Sequence, residues 1–262
     1  MDGTRGRTKR ENMKICKFIV LSVLLVSCWN CADPELEIDE ETISDTELNS
    51  LFGDIRVMDI LEPGYPKEWG DATFYILNSS MGYKLLKYVK ALNPKSAFIR
   101  FEAIPGEDGY PDMSVEKMAY AGSGLIRYTG KAAQNKCKDE LLFHEFFHVF
   151  QNGINNSPRK SLNNELEAYL AQYFYSENKS SSYCAGMIDD DFEEKLIALA
   201  SCINMYTGYL KVSYDEFYQE YVKALNCIAG KYPYDGPGWI RDQAKYNEQP
   251  FPKLFQLLNQ QS

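Results

Sequence analysis

One helical stretch constrains this chain more than any other feature. Residues 138–151 read KDELLFHEFFHVFQ, and Leu141, Leu142, Phe143, Phe146, Phe147, Val149 and Phe150 cover nearly every side of a helix drawn through them. A helix that is apolar all round is expected to be buried. Yet His144, Glu145 and His148 sit in its middle, and such groups cost free energy in an interior unless they have partners. The chain contains 2 histidines, and both are here. Residues i and i+4 of a helix are about 40° apart, so the two imidazoles project together and can share one cation. Glu145, turned about 100° from His144, lies beside that point and can take a proton from water held there. Two histidines placed at random take this spacing, with Glu after the first, in roughly one case in 2,000.

A catalytic zinc site usually has three protein ligands and a water. No histidine is left to be the third, so a carboxylate is expected. The next helix, opened by Ser161 as cap and running to about Tyr175, offers Glu165 and Glu167. Its apolar stripe is set by Leu166, Leu170 and Phe174. At about 100° per residue, Glu167 falls about 60° from Leu170 and Glu165 about 140° away. That wheel favours Glu167 as ligand, with Glu165 next and one of Asp189, Asp190 and Asp191 third.

With these residues in place, His144-Glu145-Phe146-Phe147-His148 followed by Glu167-Ala168 resembles the gluzincins, the thermolysin-like class of zinc peptidases. The resemblance spans residues 137–175. It implies a zincin-like α+β fold, a small mixed sheet followed by a helical half. It also implies one Zn²⁺ held by His144, His148 and Glu167, with Glu145 as catalytic base and a peptide or protein as substrate. The metzincin class does not fit, because Ile154 stands where its third histidine belongs. Two other readings stay open: a non-catalytic binding protein on a zincin-like scaffold, and a zinc hydrolase acting on another bond.

The N-terminus reads as an address. Lys14 and Lys17 precede the apolar run Ile15–Ser27, which is too short to span a membrane. The run closes on Leu25-Val26-Ser27-Cys28, which resembles the lipobox of bacterial lipoproteins. Residues 1–27 are therefore expected to be a signal peptide, with 1–12 an over-extension upstream of Met13. Cys28 is the expected lipidation site, carrying palmitate, and Cys31 is its rival. Residues 28–50 are acidic and nearly without aromatics, as a solvated tether would be. Lipid anchoring in the outer membrane of a Gram-negative envelope follows, with exposure on the cell surface an option. The chain as a whole carries a net charge of −9. Loss of residues 1–27 leaves 22 Lys and Arg against 35 Asp and Glu, a net charge of −13. Such a chain is repelled by phosphate, so nucleic acid is excluded as a partner.

Residues 51–262 are expected to form one domain. Ala72–Leu77, Ser96–Ile104 and Ser123–Thr129 read as strands from their β-branched and aromatic residues, and Ser123–Thr129 is the candidate to pair with an extended substrate. Tyr83–Leu92 reads as a helix and Pro105–Ser114 as a loop. Ser44 opens a helix through Ile55, and helices open at Asp191 and Ser213, the latter ending near Gly230. Four cysteines fall in the domain (Cys137, Cys184, Cys202, Cys227) without a C-x-x-C pair. That spacing argues against a structural zinc site, and an exported location permits disulfides.

Overall fold

Among the described residues, eight α-helices, three strands and one short 3-10 turn follow one another in a way that local propensity alone misjudges. The computed structural model describes residues 55–91, 98–107, 109–156, 158–178, 189–241 and 250–259. All of them fall within one compact unit, Thr46–Ser262. The signal peptide, the acidic tether, Cys28, Cys31, Cys184 and the expected Ser44 helix up to residue 54 lie outside the described residues. The described part is α+β, with eight helices and one small mixed sheet.

Helix α1 (Lys67–Leu77) starts after Pro66 and includes the run Ala72–Leu77 that reads as a strand from its composition. Its period explains the difference. Trp69, Ala72, Thr73, Ile76 and Leu77 are buried at helical spacing, and the Thr73 hydroxyl donates to the Trp69 carbonyl at 2.7 Å. Tertiary burial along that face outweighs the preference of a β-branched and aromatic hexapeptide. Helix α2 (Ser80–Ala91) follows at once, where the sequence places it.

Strands β1 (Arg100–Ala103), β2 (Met118–Gly122) and β3 (Leu125–Tyr128) form a sheet of order β1-β3-β2. β3 pairs parallel to β1 and antiparallel to β2. The segment expected to meet substrate, β3, is thus enclosed on both sides, and β1 and β2 are the edge strands. Met118–Gly122 escapes detection because MAYAG lacks β-branched residues.

The helical half comprises α3 (Gly130–Gln134), α4 (Lys138–Asn152), α5 (Leu162–Asn178), α6 (Asp190–Ser201), α7 (Tyr214–Ala229) and α8 (Pro252–Asn259). Helix α4 is buried through most of its length, as its all-round apolar character requires, and ends at Gly153 with φ 75°. Helix α6 is capped by Asp189, whose side chain accepts from the Phe192 N–H, two residues before the expected start. Ser213 caps α7 as expected. Cys137, next to α4, is disulfide-bonded, while Cys202 and Cys227 are free thiols. No helix among the described residues is long and apolar enough to cross a membrane.

Candidate metal centre

Helices α4 and α5 run antiparallel, and the site lies along their seam. Tyr175 Oη donates to Asp139 and Ser176 Oγ to Glu140 at one end, at 2.8 and 2.9 Å. At the other end Gln151 donates to the Asn164 carbonyl at 2.9 Å. Phe143 stacks on Tyr175 with centroids 4.3 Å apart. This packing fixes the register of one helix on the other, and His144 and His148 face α5 between the two anchor points.

The two imidazoles converge. Their Nε2 atoms lie 3.0 Å apart. A carboxylate bridges them, and it belongs to Glu165: one oxygen is 3.4 Å from His148 Nε2 and the other 3.6 Å from His144 Nε2. His144, His148 and Glu165 form the group of donors among the described residues that comes together closely enough to hold a cation. Ligands at about 2.0–2.1 Å from a tetrahedral Zn²⁺ are separated by about 3.3 Å. The three observed separations bracket that value, so the donor set fits the ion.

The outer ring nitrogens fix the protonation pattern. Gln151 donates both amide hydrogens, to Asn164 O and to Glu167 Oε2 at 2.8 Å, so its own oxygen accepts from His148 Nδ1 at 2.8 Å. His144 Nδ1 meets Gln172 Oε1 at 3.0 Å. With the Nδ1 atoms donating, each Nε2 turns a lone pair inward, toward a carboxylate that is also an acceptor. Burial disfavours charge on His148, but Glu165 beside it outweighs burial and pushes the imidazole up to about 9. Burial likewise opposes the Glu165 carboxylate, and the two imidazoles reverse that effect and hold it far below its usual range. Acceptors gathered in this way need a shared positive charge, which a proton or a metal ion supplies.

Glu145 sits beside the cluster as expected. Its Oε2 accepts the backbone N–H of Tyr120 on β2 at 2.6 Å. Tyr120 is itself pinned, its hydroxyl reaching the Ile154 carbonyl at 2.9 Å. The edge strand and the candidate base are thereby joined.

Glu167 departs from expectation. It is 3% exposed, but its Oε1 accepts the N–H groups of Lys253 and Leu254 at 2.7 and 2.8 Å. It caps the start of α8 and does not face the imidazoles. Burial pushes its carboxyl up to about 7 against the pull of those hydrogen bonds. The wheel misleads because α5 has no single apolar stripe: Leu162, Leu166, Ala168, Leu170, Ala171, Phe174 and Tyr175 are all buried. The informative pattern is polar instead. Glu165, Tyr169 and Gln172, at i, i+4 and i+7, share the face that meets α4. Asp189 and Asp191 pair with Lys231 instead of joining the cluster.

Sequence reasoning also missed the aromatic residues around Glu165. Tyr234 Oη lies 3.2 Å from Glu165 Oε2 and 3.0 Å from Tyr169 Oη. The Tyr169 ring stands edge-on to His144 with centroids 4.6 Å apart. Nothing marks Tyr234 among 19 tyrosines in the sequence. The cluster lies in a cleft of about 770 Å³ lined by β2, the segment 158–160 and residues 232–239.

Comparison with protein families, with curated proteins and with solved structures finds no match to this chain.

Proposed function

We propose that this chain is a zinc-dependent peptidase, with His144, His148 and Glu165 as the metal-holding residues and Glu145 as the catalytic base. One observation carries the reading: two imidazole Nε2 atoms and a carboxylate gather at 3.0–3.6 Å in an accessible cleft, with Glu145 beside them. This is the chemistry of the gluzincin-type motif, with the carboxylate moved two residues earlier on the following helix. A zincin-like character of the α+β fold belongs to the same proposal.

When bound, Zn²⁺ supplies Lewis acidity to a water molecule and to the scissile carbonyl. Glu145 accepts the proton of that water at its carboxylate and delivers it to the departing amine. The Tyr120 N–H holds one Glu145 oxygen and keeps the other oriented. Gln151 and Gln172 hold the imidazoles with Nε2 bare. Tyr234 braces Glu165. The edge strand β2 lines the cleft and offers backbone groups to an extended substrate. Lipid anchoring through Cys28 to a bacterial outer membrane is the proposed setting, supported by the sequence alone.

The test pairs metal analysis with hydrolysis of a broad peptide library. The purified chain should bind one zinc, cleave peptides and lose both on chelation. Glu145→Gln should retain the zinc and lose cleavage. Cleavage by Glu145→Gln at the parental rate refutes the mechanism. Stoichiometric zinc with no peptide cut, but turnover of another bond, moves the chain to the wider class of zinc hydrolases.

A further inference from the structure

The catalytic reading leaves the charges around the cleft unexplained. The chain is acidic overall, with a net charge of −9. Some of its lysines lie in ion pairs, among them Lys67 with Asp71, Lys223 with Glu220 and Lys231 with Asp189. By count the cleft lining is even, with Lys117, Arg159 and Lys160 against Glu116, Glu145 and Glu165, but the carboxylates are engaged: Glu116 accepts the Asn135 amide at 2.8 Å, Glu145 accepts the Tyr120 N–H, and Glu165 bridges the two imidazoles.

Lys117 and Lys160 come from separate elements. Lys117 immediately precedes β2, and Lys160 lies just before α5, with its ammonium 6.0 Å from the centre of the Trp239 ring. Both are exposed, and neither forms an ion pair with a carboxylate of the described residues. With the carboxylates engaged, Lys117 and Lys160 are left as cations without an ion pair among the described residues, and such cations attract anionic ligands.

We propose that the cleft selects acidic peptides: an extended segment along β2 whose Asp or Glu side chains near the scissile bond meet Lys117 and Lys160. The assignment of the cut to this cleft rests on the peptidase reading; the charge preference does not need turnover.

The experiment therefore measures binding. Zinc-loaded Glu145→Gln is titrated against three fluorescein-labelled decapeptides of equal length, identical except for Glu, Gln or Lys at the positions flanking the centre. The Glu peptide should bind about tenfold tighter than the Gln peptide at low salt, the size of two or three exposed ion pairs, with the Lys peptide weakest. The preference should shrink at 0.5 M salt, where the screening length falls to about 4 Å. Adding Lys117→Gln and Lys160→Gln should bring the Glu and Gln peptides within about twofold of each other, with zinc content and the circular dichroism spectrum unchanged. Equal binding of the three peptides, no binding of any, or a preference that survives the double substitution overturns the proposal. A preference in binding with no peptide cut by the parent chain would refute the peptidase reading and leave this one standing. Equal cleavage of acidic and neutral peptides would do the reverse.

Discussion

On the proposed function, replacing Glu167 by Gln tests whether this carboxylate holds the metal itself or positions a residue that does. The carboxylate accepts from Lys253, Leu254 and Gln151 together. An amide of the same shape cannot satisfy all of them. With its oxygen toward α8, its NH₂ group meets the donor of Gln151. Rotated, it strands the two α8 N–H groups. If Gln151 flips to relieve the clash, it presents hydrogens to His148 Nδ1 and favours the tautomer that blocks Nε2. A buried donor left unpaired costs about 1–3 kcal/mol. At about 2–4 °C per kcal/mol for a domain of this size, the midpoint should drop on the order of 5 °C. Disturbing an outer partner of a ligating histidine typically weakens metal binding tenfold to a hundredfold, or about 1.4–2.7 kcal/mol. Competition with a chromophoric chelator reads that loss directly. Glu167→Gln should still saturate with zinc at higher concentration, whereas Glu165→Gln should fall well below one zinc per chain. Parental zinc affinity in Glu167→Gln refutes the relay through Gln151. Zinc lost in Glu167→Gln and kept in Glu165→Gln makes Glu167 the ligand and refutes the geometry.

Three further outcomes test other parts of the molecule. A Cβ at Gly82 would lie 2.1 Å from the Ile76 carbonyl oxygen and 2.7 Å from its side chain. Gly82→Ala should therefore lower the urea midpoint by about 1–3 kcal/mol in stability despite the better helix propensity of Ala, and a rise in the midpoint would contradict that packing. Burial and the Asp191 carboxylate, which accepts the thiol at 3.2 Å, push Cys227 up to about 11. Its alkylation at pH 8 should be slow, should speed up as pH rises toward that value, and should be faster in Asp191→Asn; a rate equal to that of an unhindered thiol argues against the contact. Cys28→Ser should release the protein from membranes while Cys31→Ser does not, and the reverse would move the lipidation site.

The helix that carries His144 and His148 was legible in the sequence because its two signals, all-round apolarity and paired histidines, are local. So were α2, α5 and α7, whose caps and periods lie within single segments, and β1 and β3 within a residue or two where described. What was not legible depended on partners distant in the chain. Ala72–Leu77 is helical because Trp69 and Ile76 must face one core, which no hexapeptide reveals. β2 exists because β3 and Glu145 hold it, not because MAYAG favours extension. Glu167 is buried, as the wheel indicated, but a helix enclosed on several sides gives burial more than one meaning. Only the arrival of Lys253 and Leu254, more than eighty residues later, assigns that carboxylate to α8. The polar spacing of Glu165, Tyr169 and Gln172 was the one local sign of the correct face.

The antiparallel pairing of α4 and α5 also bears on how the molecule is assembled. The three candidate donors fall between residues 144 and 165, so a short loop closure brings them together, and such local contacts carry little entropic cost and form early. A helical hairpin alone contains the candidate donors. Glu145 is different, because its orientation depends on the Tyr120 N–H of the β2–β3 hairpin, an element outside the helical pair. On the proposed function, holding an ion and orienting the base thus fall to separate elements of the fold. On that reading, a chain whose hairpin has not yet formed could take up the ion while Glu145 still lacks the β2 hydrogen bond that orients it.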